Sequence, residues 1–326
     1  MKPSMHRRAV LALATLSAVG VHAQAFPSKP LTLVVPYPAG GPADVTARQM
    51  LPSLRKSLGQ PVIVDNVAGA SGALGIQKLL HAPPDGHQFL MGTPSDVVLA
   101  PLALAAVKHK PEQLRLLGLA SRAPLVLVSG MQLPARKLEE LLVEVRKPGA
   151  REYSYGSIGS GSLYHLVGED FAARMKLRMI HVPYKGMAPL LQDVMGGLVD
   201  VAFLPSAGNL ADLISQGKLR AYAVTDRQRL TRLPELPTMA QAIDLKDFEY
   251  EIWGGLFVSR SLPANLAQRL HSAVKEAQQD PEFRSQIEAT GATPGNPMSL
   301  EEAERFLTDQ TARYRRLAQA VKLEPQ

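Results

Sequence analysis

Short apolar runs alternate with amphipathic helical patterns over most of the chain. The first runs, Leu31–Val35 and residues 62–64, are rich in β-branched residues, and helical patterns cover residues 44–58 and 71–80. This alternation is typical of βαβ units, in which largely parallel sheets carry helices on both faces. Further strands are predicted at residues 89–91, 116–119, 125–128, 179–183, 199–204, 219–224 and 253–258. Further helices are predicted at residues 138–145, 162–176, 188–195, 263–278 and 300–321. The sequence therefore predicts an α/β fold.

Two glycine-rich loops follow the first two predicted strands, and each precedes a helix. Gly40 and Gly41 lie in the first loop, and Gly69 and Gly72 lie in the second. Free backbone N–H groups and the positive end of a helix dipole at such loops favour an anion. Neither loop has the Lys-Ser/Thr ending of a nucleotide P-loop, and neither reads as GxGxxG. The same glycines are also compatible with simple tight turns.

A third loop of this kind lies in the middle of the chain. Residues 156–162 alternate glycine and serine around Ile158 and open a helix that contains His165. Small residues leave backbone N–H and hydroxyl donors accessible to the oxygens of a ligand. Ser162 is first of all a predicted helix cap, and His165 is compatible with a purely structural role.

The N-terminus has the features of a secretion leader. Three basic residues within the first eight precede the apolar segment 9–21, and a small-x-small pattern follows at residues 23–25. The apolar segment is shorter than the roughly 18 residues of a membrane span, which disfavours the alternative of an N-terminal anchor. We expect residues 1–25 to be a cleavable signal peptide and the mature chain to be periplasmic.

Composition excludes several classes of protein. The chain has no cysteine, so disulfides, thiolate metal sites and a cysteine nucleophile are excluded. The formal charge of +7 falls to +4 without the basic residues Lys2, Arg7 and Arg8 of the leader. The remaining basic residues are mixed with acidic ones on helices, and no basic stripe with aromatic residues indicates nucleic acid.

Catalytic signatures are not found in the sequence. A Gly-x-Ser-x-Gly elbow, an HExxH motif and a clustered His/Asp/Glu run are all missing, so no catalytic residue, metal or cofactor is predicted. A secreted hydrolase stays an alternative, because a triad can assemble from distant residues. A ligand sensor that feeds a two-component signalling system is a second alternative.

Eight ordered stretches resemble the motifs of the Bug-type receptors, the periplasmic substrate-binding proteins of tripartite tricarboxylate transporters. They lie at residues 33–44, 59–72, 84–86, 156–165, 181–186, 197–200, 223–225 and 237–238. The resemblance implies a two-domain, type II periplasmic binding protein fold with the ligand cleft between the lobes. We expect domain 1 to comprise residues 26–122 and 247–326 and domain 2 to comprise residues 123–246.

The resemblance also implies a set of ligand-binding residues. In domain 1 they are Tyr37, Ala39, Gly40, Gly41, Asp44, Gly69, Ala70, Ser71 and Gly72. In domain 2 they are Ser157, Gly159, Ser160, Gly161, Ser162, His165, Tyr184 and Asp200. Asp44 is more simply a helix cap, because a carboxylate repels a bound carboxylate; if it contacts the ligand, an amino or hydroxy acid is implied.

The function implied by the resemblance is solute capture for transport. The expected ligand is a small carboxylate, namely a di- or tricarboxylate, an amino acid or an aromatic acid. The expected protein partners are the membrane permease subunits of a tripartite tricarboxylate-type system, and the receptor itself is expected to be a monomer that is not an enzyme.

Overall fold

The computed structural model of the chain describes residues 26–149 and 151–323, so the predicted signal peptide lies outside the described residues. The strands are β1 (Leu31–Val35), β2 (Val62–Asn66), β3 (Gln88–Gly92), β4 (Leu114–Ser129), β5 (Tyr153–Ser157), β6 (Met179–Pro183), β7 (Val201–Pro205), β8 (Arg220–Val224), β9 (Glu251–Ser259) and β10 (Thr293–Pro294). The helices are α1 (Pro42–Leu58), α2 (Ala73–His81), α3 (Ala100–Ala103), α4 (Leu138–Arg146), α5 (Leu163–Met175), α6 (Met187–Gly196), α7 (Leu210–Ser215), α8 (Met239–Ile243), α9 (Ala264–Gln279), α10 (Pro281–Ala289) and α11 (Leu300–Ala320). Short 3₁₀ turns lie at Ala70–Gly72 and Pro111–Gln113, and a π-helical turn at Ser95–Leu99 leads into α3.

The first sheet has the order β2-β1-β3-β9-β4. Strand β1 is parallel to both β2 and β3, whereas β9 is antiparallel to β3 and β4. The three parallel strands therefore end at the same edge of the sheet. The loops that follow them are consequently neighbours in space.

The second sheet has the parallel strands β6, β5 and β7 at its centre and one side. Strand β4 lies between β7 and β8 in this sheet and pairs antiparallel with both. The carboxyl ends of β5 and β6 lie together at one edge. The predicted mixed α/β fold with parallel βαβ units is thus observed, with antiparallel strands added in both sheets.

Strand β4 joins the two sheets, and the sequence did not predict its length. Two separate strands were expected at residues 116–119 and 125–128, but β4 is one strand of 16 residues. Its first part pairs with β9 as far as Pro124, and its second part pairs with β7 and β8 from Leu125 onward. We call residues 26–124 and 251–323 the first lobe, and the described residues within 125–250 the second lobe. The domain limits expected at residues 123 and 247 lie close to these transitions and stay a prediction.

Sequence periodicity located the long helices well. Helix α1 begins after Gly41 and ends at Leu58, and Gly59 is its C-cap. The φ of Gly59 is +67°, and its backbone N–H donates a hydrogen bond to Arg55 O. Helix α11 begins with a capping box between Ser299 and Glu302. The short helices α3, α7 and α8 were not predicted, because four to six residues are too few to display a period.

The largest core cluster contains residues of both lobes. Trp253 of β9 is fully buried, and its ring centroid lies 6.2 Å from that of Phe257 and 5.7 Å from that of Phe306 on α11. Phe171, Phe203 and Phe248 belong to the same cluster. Aromatic rings therefore fill the core where the chain passes from the second lobe into β9 of the first lobe.

The burial of Trp253 predicts a large loss of stability on truncation. Trp253→Ala is expected to lower the free energy of unfolding by about 3–5 kcal/mol, because it removes buried aromatic surface and leaves a cavity. Urea denaturation followed by circular dichroism measures this change. Leu198→Ala is the control, since Leu198 is 75% exposed and its truncation should change stability by less than about 0.5 kcal/mol. Equal midpoints for both variants would contradict the assignment of Trp253 to the core.

Candidate functional site

The loop after β1 presents a helix N-terminus that no side chain of the described residues caps. Gly40 has a φ of +79°, and Gly41 occupies the N-cap position of α1 without a side-chain hydrogen bond. Pro42 begins the helix. Because the N-cap lacks a side chain, the first turn of α1 can offer its N–H groups to an external acceptor.

Asp44 fixes the shape of this loop from within the first lobe. Its buried carboxylate accepts hydrogen bonds from Gly40 N and Arg48 Nε, both at 2.9 Å, and from Asn66 Nδ2 at 2.9 Å. Burial alone would raise the pKa of Asp44, but these hydrogen bonds outweigh it and hold the pKa below its usual value. Asp44 thus serves as an organiser of the loop, and both of its oxygens have partners inside the protein.

Asn66, which was not among the predicted site residues, connects the first two loops. Its Nδ2 also donates to Tyr37 O at 3.1 Å, while the residue itself ends β2 directly before the second loop. Its place at the carboxyl end of a predicted strand was the signal that could have identified it.

The second loop has an unusual backbone. Gly69 and Gly72 have φ values of +136° and +93°, and Ala70 and Ser71 between them also have positive φ, at +47° and +50°. A left-handed conformation costs a non-glycine residue of order 1 kcal/mol or more. Such strain is maintained only where the surrounding structure requires it, which marks this loop as a functional candidate.

The third loop, after β5, is held by its own serines. Ser162 caps α5 by accepting a hydrogen bond from His165 N, as the sequence predicted. Its hydroxyl also donates to Gly159 O at 2.7 Å, while the fully buried Ser157 hydroxyl contacts both N and O of Gly159 at 3.1 Å. Gly159 and Gly161 have positive φ, so the loop folds tightly over the end of β5.

The loops of the two lobes meet. Ser71 Oγ of the first lobe donates to Ser160 O of the second at 2.6 Å. A Cβ atom on Gly159 would lie 3.0 Å from Ser71 Oγ, and one on Gly186 would lie 3.5 Å from Pro38 Cγ. The structure therefore brings the glycine-rich loops together across one cleft, as the sequence analysis expected, and the lobes approach each other closely there.

Two stacked imidazoles support the third loop. His165 Nδ1 accepts from Gly161 N at 3.2 Å, and its ring lies 3.9 Å from the ring of His181. Burial lowers the pKa of His165, and burial together with His165 lowers that of His181 to about 3. Both rings are therefore neutral at pH 7. His165 positions the loop backbone, and His181, which was not predicted as a site residue, holds Ser157 through a 2.7 Å contact between its Nε2 and the serine Oγ.

This serine and histidine do not have the properties of a hydrolytic pair. The Ser157 hydroxyl is fully buried and bonded to the loop backbone. The low pKa of His181 makes its imidazole a poor proton acceptor near pH 7. Their geometry serves to shape the loop.

Tyr184 and Asp200 lie differently from the other predicted residues. Tyr184 follows β6 at the cleft, but its hydroxyl donates to Asp193 Oδ2 at 2.6 Å, so the side chain is held against α6. Asp200 precedes β7 and lies at the opposite edge of the second sheet, hydrogen bonded to Arg151 and Ser154. Because β7 runs parallel to β5, its start cannot adjoin the loop that follows the end of β5. The structure thus does not bring Asp200 to the cleft.

A buried carboxyl group under the first-lobe loops was not predicted. Asp96 Oδ1 accepts from Tyr37 Oη and Thr93 N, both at 2.8 Å. Burial raises the pKa of Asp96 to about 7, and burial together with Asp96 raises that of Tyr37 well above its usual value. The position of Asp96 just after β3, the third parallel strand to end at this edge, was the available signal.

Other kinds of site are not found in the described part of the chain. Residues 26–149 and 151–323 contain no cluster of three or more His, Cys, Asp or Glu side chains that could hold a metal ion. Within the same ranges, no helix combines the length and hydropathy of a membrane span.

Comparison with known proteins identifies relatives across the whole described chain. A family model for the tripartite tricarboxylate transporter family receptor matches residues 46–323. The solved structure of the periplasmic binding protein BugD is 30% identical, covers 92% of this chain and 100% of its own, and has a TM-score of 0.84. The Rhodopseudomonas palustris protein MatC with bound malate is 27% identical, with 90% and 99% covered and a TM-score of 0.83. The R. palustris protein Rpa4515 with adipate is 28% identical, with 92% and 100% covered and a TM-score of 0.85.

The raised pKa of Asp96 predicts a pH-dependent contribution to stability. The folded chain keeps the proton of Asp96 up to about pH 7, whereas an unfolded aspartate releases it near its ordinary value of 3.8. Between these values protonation favours the folded state, so this contribution falls as the pH rises toward 7 and is lost above it.

The stability advantage of the wild type over Asp96→Asn should thus decline from pH 5 to 7 by up to about 1.4 kcal/mol per pH unit. Urea titrations at pH 5, 6, 7 and 8 measure the free energy of unfolding of both proteins. Asp212→Asn is the control, because Asp212 is exposed. A difference that does not vary with pH would contradict the burial of an ionisable Asp96.

Proposed function

This chain belongs to the tripartite tricarboxylate transporter family of receptors, and we propose that it captures a small organic acid by one carboxylate between its lobes. Receptors of this family are periplasmic solute-binding proteins for carboxylates and not enzymes. The finer proposal is that the carboxylate lies among the loops at residues 37–41, 69–72 and 157–162 and that the occupied receptor delivers it to membrane permease subunits.

The observation that carries the proposal is the convergence of main-chain loops from both lobes. The Ser71 to Ser160 hydrogen bond joins two loops that each precede a helix. Loops of this kind bind an anion through N–H groups and the helix dipole. The same contact supports a closed arrangement of the lobes around the ligand.

Binding in such a site is reversible and involves no covalent step. Backbone N–H groups, serine hydroxyls and ordered water replace the hydration shell of the carboxylate. The chain passes between the lobes at two places, in β4 near Pro124 and near Tyr250. A hinge between the lobes can therefore lie only at these two connections. We propose that hinge motion at these two connections opens and closes the cleft.

The proposed ligand class is a dicarboxylate, with amino and aromatic acids as less favoured members. This choice is supported by the malate and the adipate bound to two structural relatives. Main-chain recognition of one carboxylate leaves the distal half of the ligand to other side chains. We further propose that the receptor is secreted by its signal peptide and acts as a monomer.

Ligand identification tests the proposal directly. Native mass spectrometry of freshly purified mature protein should reveal a co-purified acid, and thermal-shift screening should show stabilisation by mono-, di- or tricarboxylates. Malate and adipate belong in this panel. The proposal fails if the whole panel leaves the melting temperature unchanged and no bound acid is found, or if a bound acid is chemically converted.

Gly41→Val tests the position of the site. The φ of Gly41 is −75°, and an added Cβ would lie 3.4 Å from Pro38 O, so the chain should fold while the valine obstructs the helix N-terminus. We expect affinity for the identified acid to fall at least about tenfold, about 1.4 kcal/mol, by isothermal titration calorimetry. Gly72 is less suitable, because a Cβ there would lie 2.6 Å from Asp96 Cβ and disturb packing.

Gly196→Val is the matched control. Gly196 also has room for a Cβ, with no atom within 4 Å, and it lies at the end of α6. This variant should bind with wild-type affinity. Unchanged affinity in Gly41→Val would show that the acid binds elsewhere.

A further inference from the structure

Asp96 is buried directly beneath the first-lobe loops, and one of its oxygens has no partner. Its Oδ1 accepts from Tyr37 Oη, Thr93 N and Thr93 Oγ1. Its Oδ2 is buried without a hydrogen-bond partner in the part of the chain that the structure describes. Because no donor reaches Oδ2, a negative charge on this carboxylate is poorly compensated, which favours its neutral, protonated form.

Asp96 contacts both anion-binding loops of the first lobe. Tyr37, which bonds to Oδ1, belongs to the loop after β1. A Cβ on Gly72 would lie 2.6 Å from Asp96 Cβ and 3.4 Å from its Cγ, so the second loop rests against this side chain. Asp96 thus lies directly behind the two first-lobe loops that we propose to hold the acid.

Among the residues that the structure describes, no cation compensates the charge of Asp96. The titratable groups that contact Asp96 are Tyr37 from the first loop and His109 from the segment before β4, and Tyr164 from α5 lies near Tyr37. His109 Nε2 contacts the main-chain O of Asp96 at 2.9 Å, and burial lowers the pKa of its imidazole. In the described residues no lysine or arginine forms an ion pair with Asp96. A bound carboxylate would thus be repelled by an ionised Asp96, and no nearby positive charge would reduce this repulsion.

We propose that Asp96 is a specificity-determining group that couples carboxylate binding to the uptake of one proton. The acid binds to the receptor with Asp96 in its neutral form, with the proton taken from solvent and carried on Oδ2. A carboxylate held by the first-lobe loops repels an ionised Asp96 behind them, so binding of the acid favours the neutral form of Asp96. This inference rests on the proposed function.

The coupling predicts which acids bind and at which pH. Burial raises the pKa of Asp96 to about 7, so the free receptor is mostly protonated below that pH and mostly ionised above it. Affinity for a dicarboxylate should fall by up to about tenfold per pH unit above 7. A ligand with an ammonium group next to Asp96 would reverse the sign, since it would favour the carboxylate and release a proton.

Isothermal titration calorimetry in two buffers tests this coupling. The mature protein is titrated with malate and with adipate at pH 6 and pH 8, in buffers of different ionisation enthalpy, and the dependence of the heat on the buffer counts protons. Both acids are fully ionised at pH 8, so protons taken up there must bind to the protein. We expect close to one proton at pH 8 and close to zero at pH 6.

Two variants complete the test. Asp96→Asn keeps the shape of the side chain and places an N–H₂ donor at the neutral group, so it should bind with no proton uptake and with an affinity independent of pH from 6 to 8. Asp212→Asn removes an exposed carboxylate on α7 and should behave like the wild type. The wild-type proton count tests the inference even if Asp96→Asn does not fold.

Three results would overturn the inference. Binding without proton uptake at pH 8, proton release on binding, or uptake that persists in Asp96→Asn would each refute the role of Asp96 and leave the proposed function standing. Absence of binding by malate, by adipate and by every other acid of the panel would instead refute the proposed function and this inference with it.

Discussion

Close approach of second-lobe glycines to the loops and helices of the first lobe is the constraint on which the site depends. Gly159 lies against Ser71, Gly161 against Ala103 and Gly186 against Pro38, and a Cβ on Gly161 would lie 2.8 Å from that of Ala103. Side chains at these positions would hold the lobes apart. Because the loops meet, the helix N-termini that follow them lie close to the same contact between the lobes, where helix dipoles favour an anion.

The charged and titratable groups around the cleft are arranged so that few of them carry charge toward it. Asp44 is ionised, but its oxygens are occupied by Gly40, Arg48 and Asn66. Burial keeps His165 neutral, and burial also raises the pKa of Asp96 to about 7. Desolvation therefore decides the charge states of His165 and Asp96, which makes these two groups sensitive to any charge that a ligand brings.

The residues that sequence reasoning missed are those that act through another residue. Asn66 ties two loops together, His181 holds Ser157, and Asp96 holds Tyr37. Their partners are 24 to 59 residues away in sequence, so no local pattern reveals the pairing. Asp200 shows the opposite case: the family resemblance implied a ligand contact, but the parallel register of β7 with β5 places Asp200 at the far edge of the sheet.

By itself, the sequence determined the βαβ character of the chain, the long helices and the loops able to receive an anion. These properties are local, because a strand, a helix and a glycine turn each depend on residues within a few positions of one another. The tertiary structure decided that β4 is one continuous strand shared by two sheets and that the loops of both lobes meet. It also buries Asp96 with no partner for Oδ2 among the described residues. Those properties depend on burial and on contacts between distant segments, and desolvation exists only after the chain has packed.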